Sequence, residues 1–393
     1  MRCSTMCLFS DAKDSSDGSH HDNMASRLRF SLGQSNKDQA NHQEVRSEVV
    51  EKISGIFAAV ADYEATWIEP DIQKDLGVIC EDLHISKAGT HRDKLSPVFF
   101  NPLGTHNIPR LDLTDAQTQE SINDITEDWD SPPPWPRTVT DQLYELIYAI
   151  EYYFREGSRV YESEYGWSNT LSHYAKWVEC GGITPQLVAE EFDRPIWGSR
   201  GSTPYFGYVA RNQLNMPHTL LATLTRSEMN EKLSRSEALT ILTVMLTRLK
   251  SDDFPNHNVI PIMLISVFAG FQVRVLEAHY DFRGLVIRKS KFLSFANRDA
   301  AIPNMDILMS FMCSEMIGNT RDSKILTKPG VVFPQPSGHN SYRDNRGRLP
   351  GFEKIGDVLR AARAPFRPPN TALQDVADTS SVGTLTSRKS QAG

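Results

Sequence analysis

The strongest constraint on the fold is the run 259–295, in which the sequence pattern changes from helical to extended. It divides into three strand candidates, VIPIMLISVF (259–268), VRVLEAHYDF (273–282) and LVIRKSKFLSF (285–295), joined by AGFQ and RG. A period of two residues with short connections is typical of consecutive antiparallel strands. The sequence therefore predicts a three-stranded antiparallel β-meander in this part of the chain.

The segments on either side of this run have the apolar spacing of helices. Ser234 and Glu237 have the spacing of a capping box and open the helix EALTILTVMLTRLK. A second clear helix is predicted from Thr140 to Gly157, because its apolar residues recur every three or four positions. Its predicted buried stripe consists of Leu143, Leu146, Ile147, Ile150, Tyr153 and Phe154. Further helices are predicted over 43–66, 168–179, 184–193 and 303–316.

Together these elements predict an α+β fold in a single globular domain, 43–333. A mainly helical body is followed by the three-stranded antiparallel β-meander and by a covering helix near the C-terminal end. The tails 1–42 and 334–393 are polar or rich in Pro, Gly and Arg, so both are predicted to be largely disordered. A short helical patch, FEKIGDVLRAAR, interrupts the C-terminal tail.

Charge is distributed unevenly along the chain. The segment 98–136 is predicted to be an acidic and Pro-rich loop, since 111–130 holds seven acidic residues without Lys or Arg and SPPPWP follows. From residue 337 onward there are nine Lys or Arg against five Asp or Glu, and RAARAPFRPPN resembles a ligand of SH3-type domains. Either segment could contact a protein partner.

Composition excludes several classes of protein. A formal charge of -7 and a pI near 5.9 make nucleic acid an unlikely partner, because phosphate binding needs concentrated Lys and Arg. The longest apolar window is shorter than the roughly 20 residues of a membrane helix, so no membrane contact is predicted. Five scattered cysteines without a CxxC pair indicate reduced thiols and a cytoplasmic location, with a nuclear one possible.

The hairpin 273–292 holds the candidate catalytic residues. With a two-residue turn at Arg283 and Gly284, four polar side chains share one face of the hairpin. A longer loop, 281–284, leaves the same side chains on one face and places Glu277 directly opposite Arg288. Carboxylates around a histidine can act as acid, base or metal ligand. The four candidates are Glu277, His279, Asp281 and Arg288.

A simpler interpretation of these charges is a half-exposed sheet with ion pairs across its strands. The hairpin also lacks the PD-(D/E)xK nuclease pattern, because Ile287 stands where an acid is required two residues before Lys289. Cys80, His84 and His91 match no common zinc spacing. WGSRGSTPYFG (197–207) lacks the phosphate-loop signature and is predicted to be a surface turn. The sequence indicates no metal site and no identifiable cofactor.

The stretch NVIPIMLISVFAGFQVRVLEAHYDFRGLVIRKSKFLSF, within about 258–295, resembles a block found in uncharacterised filamentous-fungal proteins. The shared pattern is an apolar run, a glycine break, a strand that ends in an aromatic-acid turn, and a second strand with basic residues. The resemblance implies a fungal, intracellular, accessory-type protein and suggests a role in secondary metabolism. It implies no activity, cofactor or catalytic residue.

Two functions are compatible with these features. The first is a soluble intracellular protein that is non-catalytic and acts in interaction or ligand binding. The alternative is an enzyme, such as a metal-assisted hydrolase or an accessory enzyme of fungal secondary metabolism, with its site on the hairpin 273–292. Whether the four hairpin residues line a pocket or face solvent distinguishes the two.

Overall fold

The computed structural model describes residues 21–327, apart from 131–136, 162–168, 181–182, 184, 193–195, 197–201 and 212–213. For residues 21–41 and for Asp128 the structure describes the backbone but not the side chains. The predicted C-terminal tail, including its short helical patch, and residues 1–20 also lie outside the described residues.

Seven helices and twelve strands are assigned in the described part of the chain. The helices are α1 (His21–Asp62), α2 (Pro70–Gln73), α3 (Ala116–Asp130), α4 (Val139–Glu151), α5 (Leu171–Tyr174), α6 (Arg235–Lys250) and α7 (Arg298–Met312). The strands are β1 (Trp67–Ile68), β2 (Val78–Asp82), β3 (Phe100–Asn101), β4 (Trp177–Glu179), β5 (Ser202–Ala210), β6 (Thr219–Thr225), β7 (Leu233–Ser234), β8 (Ile262–Phe268), β9 (Gln272–Asp281), β10 (Gly284–Lys289), β11 (Leu293–Ser294) and β12 (Glu315–Met316).

One mixed sheet of eight strands organises the molecule. Its order is β2-β10-β9-β8-β6-β5-β4, and β11 pairs with the start of β9. The pairs β2–β10 and β6–β8 are parallel, whereas the other neighbours in this order are antiparallel. Helix α6 connects β6 to β8, as expected for a parallel pair that needs a crossover. Two small sheets, β1-β7 and β3-β12, lie outside it.

Helices cover both faces of this sheet, so its central strands are buried on both sides. One core contains α3, α4 and α7 together with Met263 and Ile265 of β8. The other core contains α1 and α6 together with Ile262 and Leu264 of the same strand. Successive side chains of β8 thus enter opposite cores, as the pleat requires.

The predicted fold class is wrong, although the protein is α+β. The three predicted strands exist as β8, β9 and β10 and pair antiparallel, but they are part of a larger mixed sheet. The supposed helical body contributes β2, β4, β5 and β6 to it. Short apolar runs such as TLLATLT (219–225) do not distinguish a buried strand from a helical segment by periodicity.

Several other segments also differ from prediction. Residues 116–130 form α3 instead of an irregular loop, and its Ile122, Ile125 and Trp129 enter the core. Of the helix predicted over 168–179, only α5 is helical, and β4 follows it. The helix ends because Lys176 has a positive φ of 61°, which a right-handed helix does not allow. The surface turn predicted at 197–207 is strand β5 from Ser202 onward.

The helix predicted from Thr140 is α4, which begins after Thr138 and continues as a π-turn through Glu156. All six residues of its predicted stripe are buried, so that prediction is confirmed. The capping box at the start of α6 is also confirmed. Helix α1 begins at His21, within the predicted N-terminal tail. No helix of the described residues is long and apolar enough to cross a membrane.

Candidate functional site

The four predicted catalytic residues lie together on the β9–β10 hairpin. Glu277 pairs with Arg288, and Asp281 pairs with Gly284, which leaves Phe282 and Arg283 as the loop between the strands. This is the second of the two registers considered above. Gly284 adopts a φ of 135°, and a Cβ there would lie only 2.5 Å from the carbonyl oxygen of Gly77. The turn therefore depends on this glycine.

These side chains do not face solvent. Glu277, His279, Asp281 and Arg288 are all less than 5% exposed, because the chain between β2 and β3 covers them. They point to the same side of the sheet as Val275, toward the core that contains α7. The interpretation as a half-exposed sheet with ion pairs is therefore wrong for this hairpin. We call the group formed by Glu81, His91, Glu277, His279, Asp281, Arg283 and Arg288 the hairpin cluster.

Arg288 holds the covering chain in place. Its guanidinium donates to Glu81 Oε2 at 3.2 Å, to the Pro97 carbonyl oxygen at 2.6 Å and to the Ser96 carbonyl oxygen at 3.0 Å. Glu277 accepts a hydrogen bond from the covering chain as well, from His91 Nε2 at 2.8 Å. Two opposed residues of the hairpin thus fasten the same loop to the sheet.

Arg283, two residues further along the chain, binds the carboxylate of Asp281. Asp281 accepts from the backbone nitrogen of Arg283 at 2.7 Å, and its Oδ2 accepts from Arg283 Nη2 at 2.9 Å. Arg283 also donates to Glu81 Oε1 at 2.9 Å. Burial opposes ionisation of both carboxyls, but hydrogen bonds to their charged forms outweigh it, and the pKa values of Asp281 and Glu81 are lowered.

His279 has the fewest contacts in the cluster. Burial lowers the pKa of its imidazole, and the nearby Asp281 carboxylate opposes that effect. The distance between His279 Nε2 and Asp281 Oδ2 is 3.7 Å, too long for a hydrogen bond. The ring packs against Phe99 with a centroid distance of 5.2 Å. Burial thus favours the neutral form of this imidazole, and its Nε2 has no hydrogen-bond partner among the described residues.

The opposite side of β9 contains a buried ion pair. Arg274 Nε donates to Glu237 Oε1 at 2.8 Å, and a second bond joins Arg274 Nη2 to Glu237 Oε2. Both side chains are fully buried. Arg274 also donates to the carbonyl oxygens of Asn230 and Lys232 and so fastens the chain that leads into α6. Burial opposes ionisation of Glu237, but Arg274 lowers its pKa overall.

The zinc candidates are divided by the sheet. Cys80 packs against the core of α1 and α6, whereas the His91 ring contacts Phe311 in the opposite core. His84 bonds to Asp93 instead. Among the described residues, no group of three or more His, Cys, Asp or Glu is arranged to hold a metal ion.

A second polar region lies on the surface of α4 and was missed in the sequence. Tyr148 and Tyr144 are 52% and 47% exposed, one helical turn apart on the side of α4 opposite its buried stripe. Tyr205 of β5 is 36% exposed, and its ring lies 6.0 Å from that of Tyr144. A bulge between Pro204 and Phe206 leaves Tyr205 outside the regular pairing, which turns its ring outward.

Carboxylates lie near two of these rings, those of Tyr148 and Tyr205. Burial raises the pKa of Tyr148, and Glu156, Asp124 and Glu151 raise it further. Arg155 pairs with three carboxylates, to Glu151 at 3.2 Å, to Glu156 at 2.7 Å and to Glu179 at 2.9 Å. Three negative charges against one positive charge leave a net charge of -2 at this network, before Asp124 is counted.

We call Tyr144, Tyr148 and Tyr205, with Asp124, Glu151, Glu156 and Glu179 around them, the tyrosine face. Glu120 and Glu127 of α3 are also exposed and lie about one turn before and after Asp124, on the same side of that helix. The sequence does contain a signal for this face. Two tyrosines four positions apart, off the apolar stripe of an amphipathic helix, predict exposed aromatic rings.

Comparison of the chain with models of known protein families, with curated proteins and with solved structures gave no match. The resemblance of 258–295 to filamentous-fungal proteins therefore stays a prediction. Function is inferred from the chemistry of the hairpin cluster and the tyrosine face.

Proposed function

We propose that this protein is a non-catalytic interaction protein whose tyrosine face binds arginine-flanked, proline-rich segments of partner proteins. One observation carries the proposal: two exposed tyrosines one turn apart on α4, and a third that contacts the first of them, lie beside a network with a surplus of carboxylates. Exposed aromatic rings that form one patch are characteristic of binding surfaces, whereas single exposed apolar residues are ordinary.

The chemistry of the face selects its ligand class. Proline-rich segments adopt an extended helix with exposed rings, and grooves lined by aromatic side chains bind them at low entropic cost. Tyrosine suits this role because its ring packs on proline while its hydroxyl stays in water. Carboxylates around the rings attract arginines that flank the prolines, and they repel acidic segments.

The contacts of the hairpin cluster also favour a non-catalytic function. The carboxylates of Glu277 and Asp281 accept hydrogen bonds from neighbouring side chains, and the guanidinium of Arg288 donates to loop carbonyls. These contacts explain Glu277 and Arg288 as attachments of the loop to the sheet, and Asp281 as a hydrogen-bond acceptor within the β9–β10 turn.

A peptide titration tests the proposal. The probe is a fluorescein-labelled peptide with the sequence RAARAPFRPPN, titrated with the full chain and followed by fluorescence anisotropy. We expect a Kd between about 10 µM and 1 mM, which is ordinary for a short peptide on an open surface. The double variant Tyr144→Ala/Tyr148→Ala should weaken binding at least about tenfold, because exposed tyrosines are frequent interface anchors.

Two controls make this titration specific. Phe282→Ala removes an aromatic ring that is also exposed but lies at the β9–β10 turn, and it should leave the Kd unchanged. A peptide with Glu in place of each Arg should not bind. Equal affinity of the wild-type chain and the double tyrosine variant, or equal affinity for both peptides, would contradict the proposal.

A further inference from the structure

Charge complementarity within the chain itself points to an occupant for the tyrosine face. The face has a local excess of carboxylates, as described above, while the sequence beyond residue 337 has an excess of Lys and Arg. Within that tail, the segment 360–370 carries Arg360, Arg363 and Arg367, three prolines and no acid. It has the composition that the proposed function assigns to a ligand of this face.

The chain is long enough for this segment to reach the face. The last described residues lie next to the hairpin, where the Ile325 carbonyl oxygen accepts from the Phe282 nitrogen at 3.0 Å. From β9 to β5 the sheet order crosses three strand spacings, or about 14 Å, and Tyr205 lies level with Val275, about 23 Å along the strands from Phe282. The 32 residues from 328 to 359 span about 30 Å as a random coil. Fully extended, a segment of this length spans up to about 110 Å.

We infer that residues 360–370 of the chain occupy its own tyrosine face and compete there with partner segments. This inference depends on the proposed function, since it assigns a regulator to the same surface. Linkage within one molecule gives a tethered ligand an effective concentration of about 1 mM. A segment with an intrinsic Kd of about 100 µM would then occupy the face about 90% of the time and weaken an added competitor about tenfold.

The test compares full-length chains that differ only in the tail. The triple variant Arg360→Glu/Arg363→Glu/Arg367→Glu reverses the charge of the segment and should release the face. The probe is again the labelled RAARAPFRPPN peptide, and the variant should bind it about tenfold more tightly than the wild-type chain does. These substitutions lie outside the described core, and equal melting temperatures would confirm that the fold is intact.

A matched variant controls for net charge. Arg343→Glu/Arg346→Glu/Arg348→Glu reverses three arginines of the same tail outside the proline segment, and its Kd for the peptide should equal that of the wild-type chain. Tighter binding by both tail variants alike would overturn the inference, because general charge and not the segment would be responsible.

Other outcomes separate this inference from the proposed function. If the wild-type chain and the 360–367 variant bind the peptide equally and the tyrosine variant does not, the tail inference is overturned and the proposed function stands. If no chain binds the peptide, both are overturned. A dimer that dissociates on dilution and is lost in the 360–367 variant would show that a second copy supplies the segment, which contradicts occupancy within one chain.

Discussion

The hairpin cluster and the tyrosine face reverse the usual expectation for charged and aromatic residues. In the hairpin cluster, the charged residues Glu277, Asp281 and Arg288 are buried, and the bonds of Glu277 and Arg288 connect the sheet to a loop. In the tyrosine face, aromatic rings are exposed on the outer side of a helix that has a complete buried stripe of its own. Residue type alone would have assigned chemistry to the first region and packing to the second.

This contrast has a physical origin in the cost of burial. A buried charge needs hydrogen-bonding partners, so most of its polar atoms are already used, and removing it leaves those partners unsatisfied. An exposed ring loses little when it is removed, because it was in contact with water. Stability should therefore depend on the hairpin cluster, and binding should depend on the tyrosine face.

The largest loss of stability should follow Arg274→Ala on β9. It leaves the fully buried Glu237 carboxylate without its cation, and breaking a buried pair in this way costs about 3–5 kcal/mol of unfolding free energy. Urea unfolding followed by circular dichroism measures the change. Lys232→Ala removes an exposed partner of Glu69 and should cost under about 1 kcal/mol. Equal costs would show that the Arg274 pair is not buried as described.

Arg288→Ala should give the next largest effect, about 3 kcal/mol, because it orphans the Ser96 and Pro97 carbonyls and removes a donor to Glu81. The loop 84–97 should also exchange its amide hydrogens faster. Arg155→Ala is the matched change on the tyrosine face, and it should cost about 1 kcal/mol or less because its ion pairs are half-exposed. A larger cost for Arg155→Ala would reverse the contrast between the two regions.

Acid should destabilise the protein through its buried histidines. Burial lowers the pKa of His218 to about 4, against 6.5 when it is exposed. Between these values the unfolded chain binds a proton that the folded chain does not, so the contribution of His218 to stability falls as the pH drops from 6.5 to 4 and levels off below. The loss should be about 2–3 kcal/mol.

His218→Gln should flatten that part of the pH profile, as measured by urea unfolding at each pH. Its Nε2 lies 3.0 Å from the carbonyl oxygens of both Phe99 and Ile317, so the variant also lowers stability at neutral pH. The slope between pH 4 and 6.5 is therefore the informative quantity. A slope as steep as that of the wild-type chain would assign the acid sensitivity to other groups.

The smallest change in stability should follow Tyr148→Ala. The ring is half-exposed, and removing it should alter the free energy of unfolding by about 0.5 kcal/mol or less. Thermal unfolding of the variant and of the wild-type chain measures this difference. A loss above about 2 kcal/mol would mean that Tyr148 belongs to the core and not to a binding face.

Local signals in the sequence predicted the features that depend on neighbouring residues. The capping box of Ser234 and Glu237 and the apolar stripe of α4 need only a helical period, and both are present. The common face of Glu277, His279, Asp281 and Arg288 follows from strand alternation in either hairpin register. These features involve residues close together in the chain.

The predictions that were wrong concern features that depend on contacts between distant segments. β2 pairs with β10, which lies more than 200 residues further along the chain, and no local pattern in VICED predicts that pairing. The burial of the hairpin cluster depends on the loop that ends at Pro97, and the exposure of Tyr205 depends on a bulge against β6. Alternation identifies which side chains share a face, but it does not show whether another segment covers that face.

The most direct test of the account is a comparison of peptide binding by variants of the two regions. Glu277→Gln/His279→Asn changes two hairpin residues with near-isosteric side chains, and Tyr144→Ala/Tyr148→Ala removes two rings of the tyrosine face. Titrated against labelled RAARAPFRPPN, the hairpin variant should retain the wild-type Kd within about twofold, and the tyrosine variant should lose at least about tenfold in affinity. Loss of binding in the hairpin variant at unchanged melting temperature, with full binding by the tyrosine variant, would contradict the account.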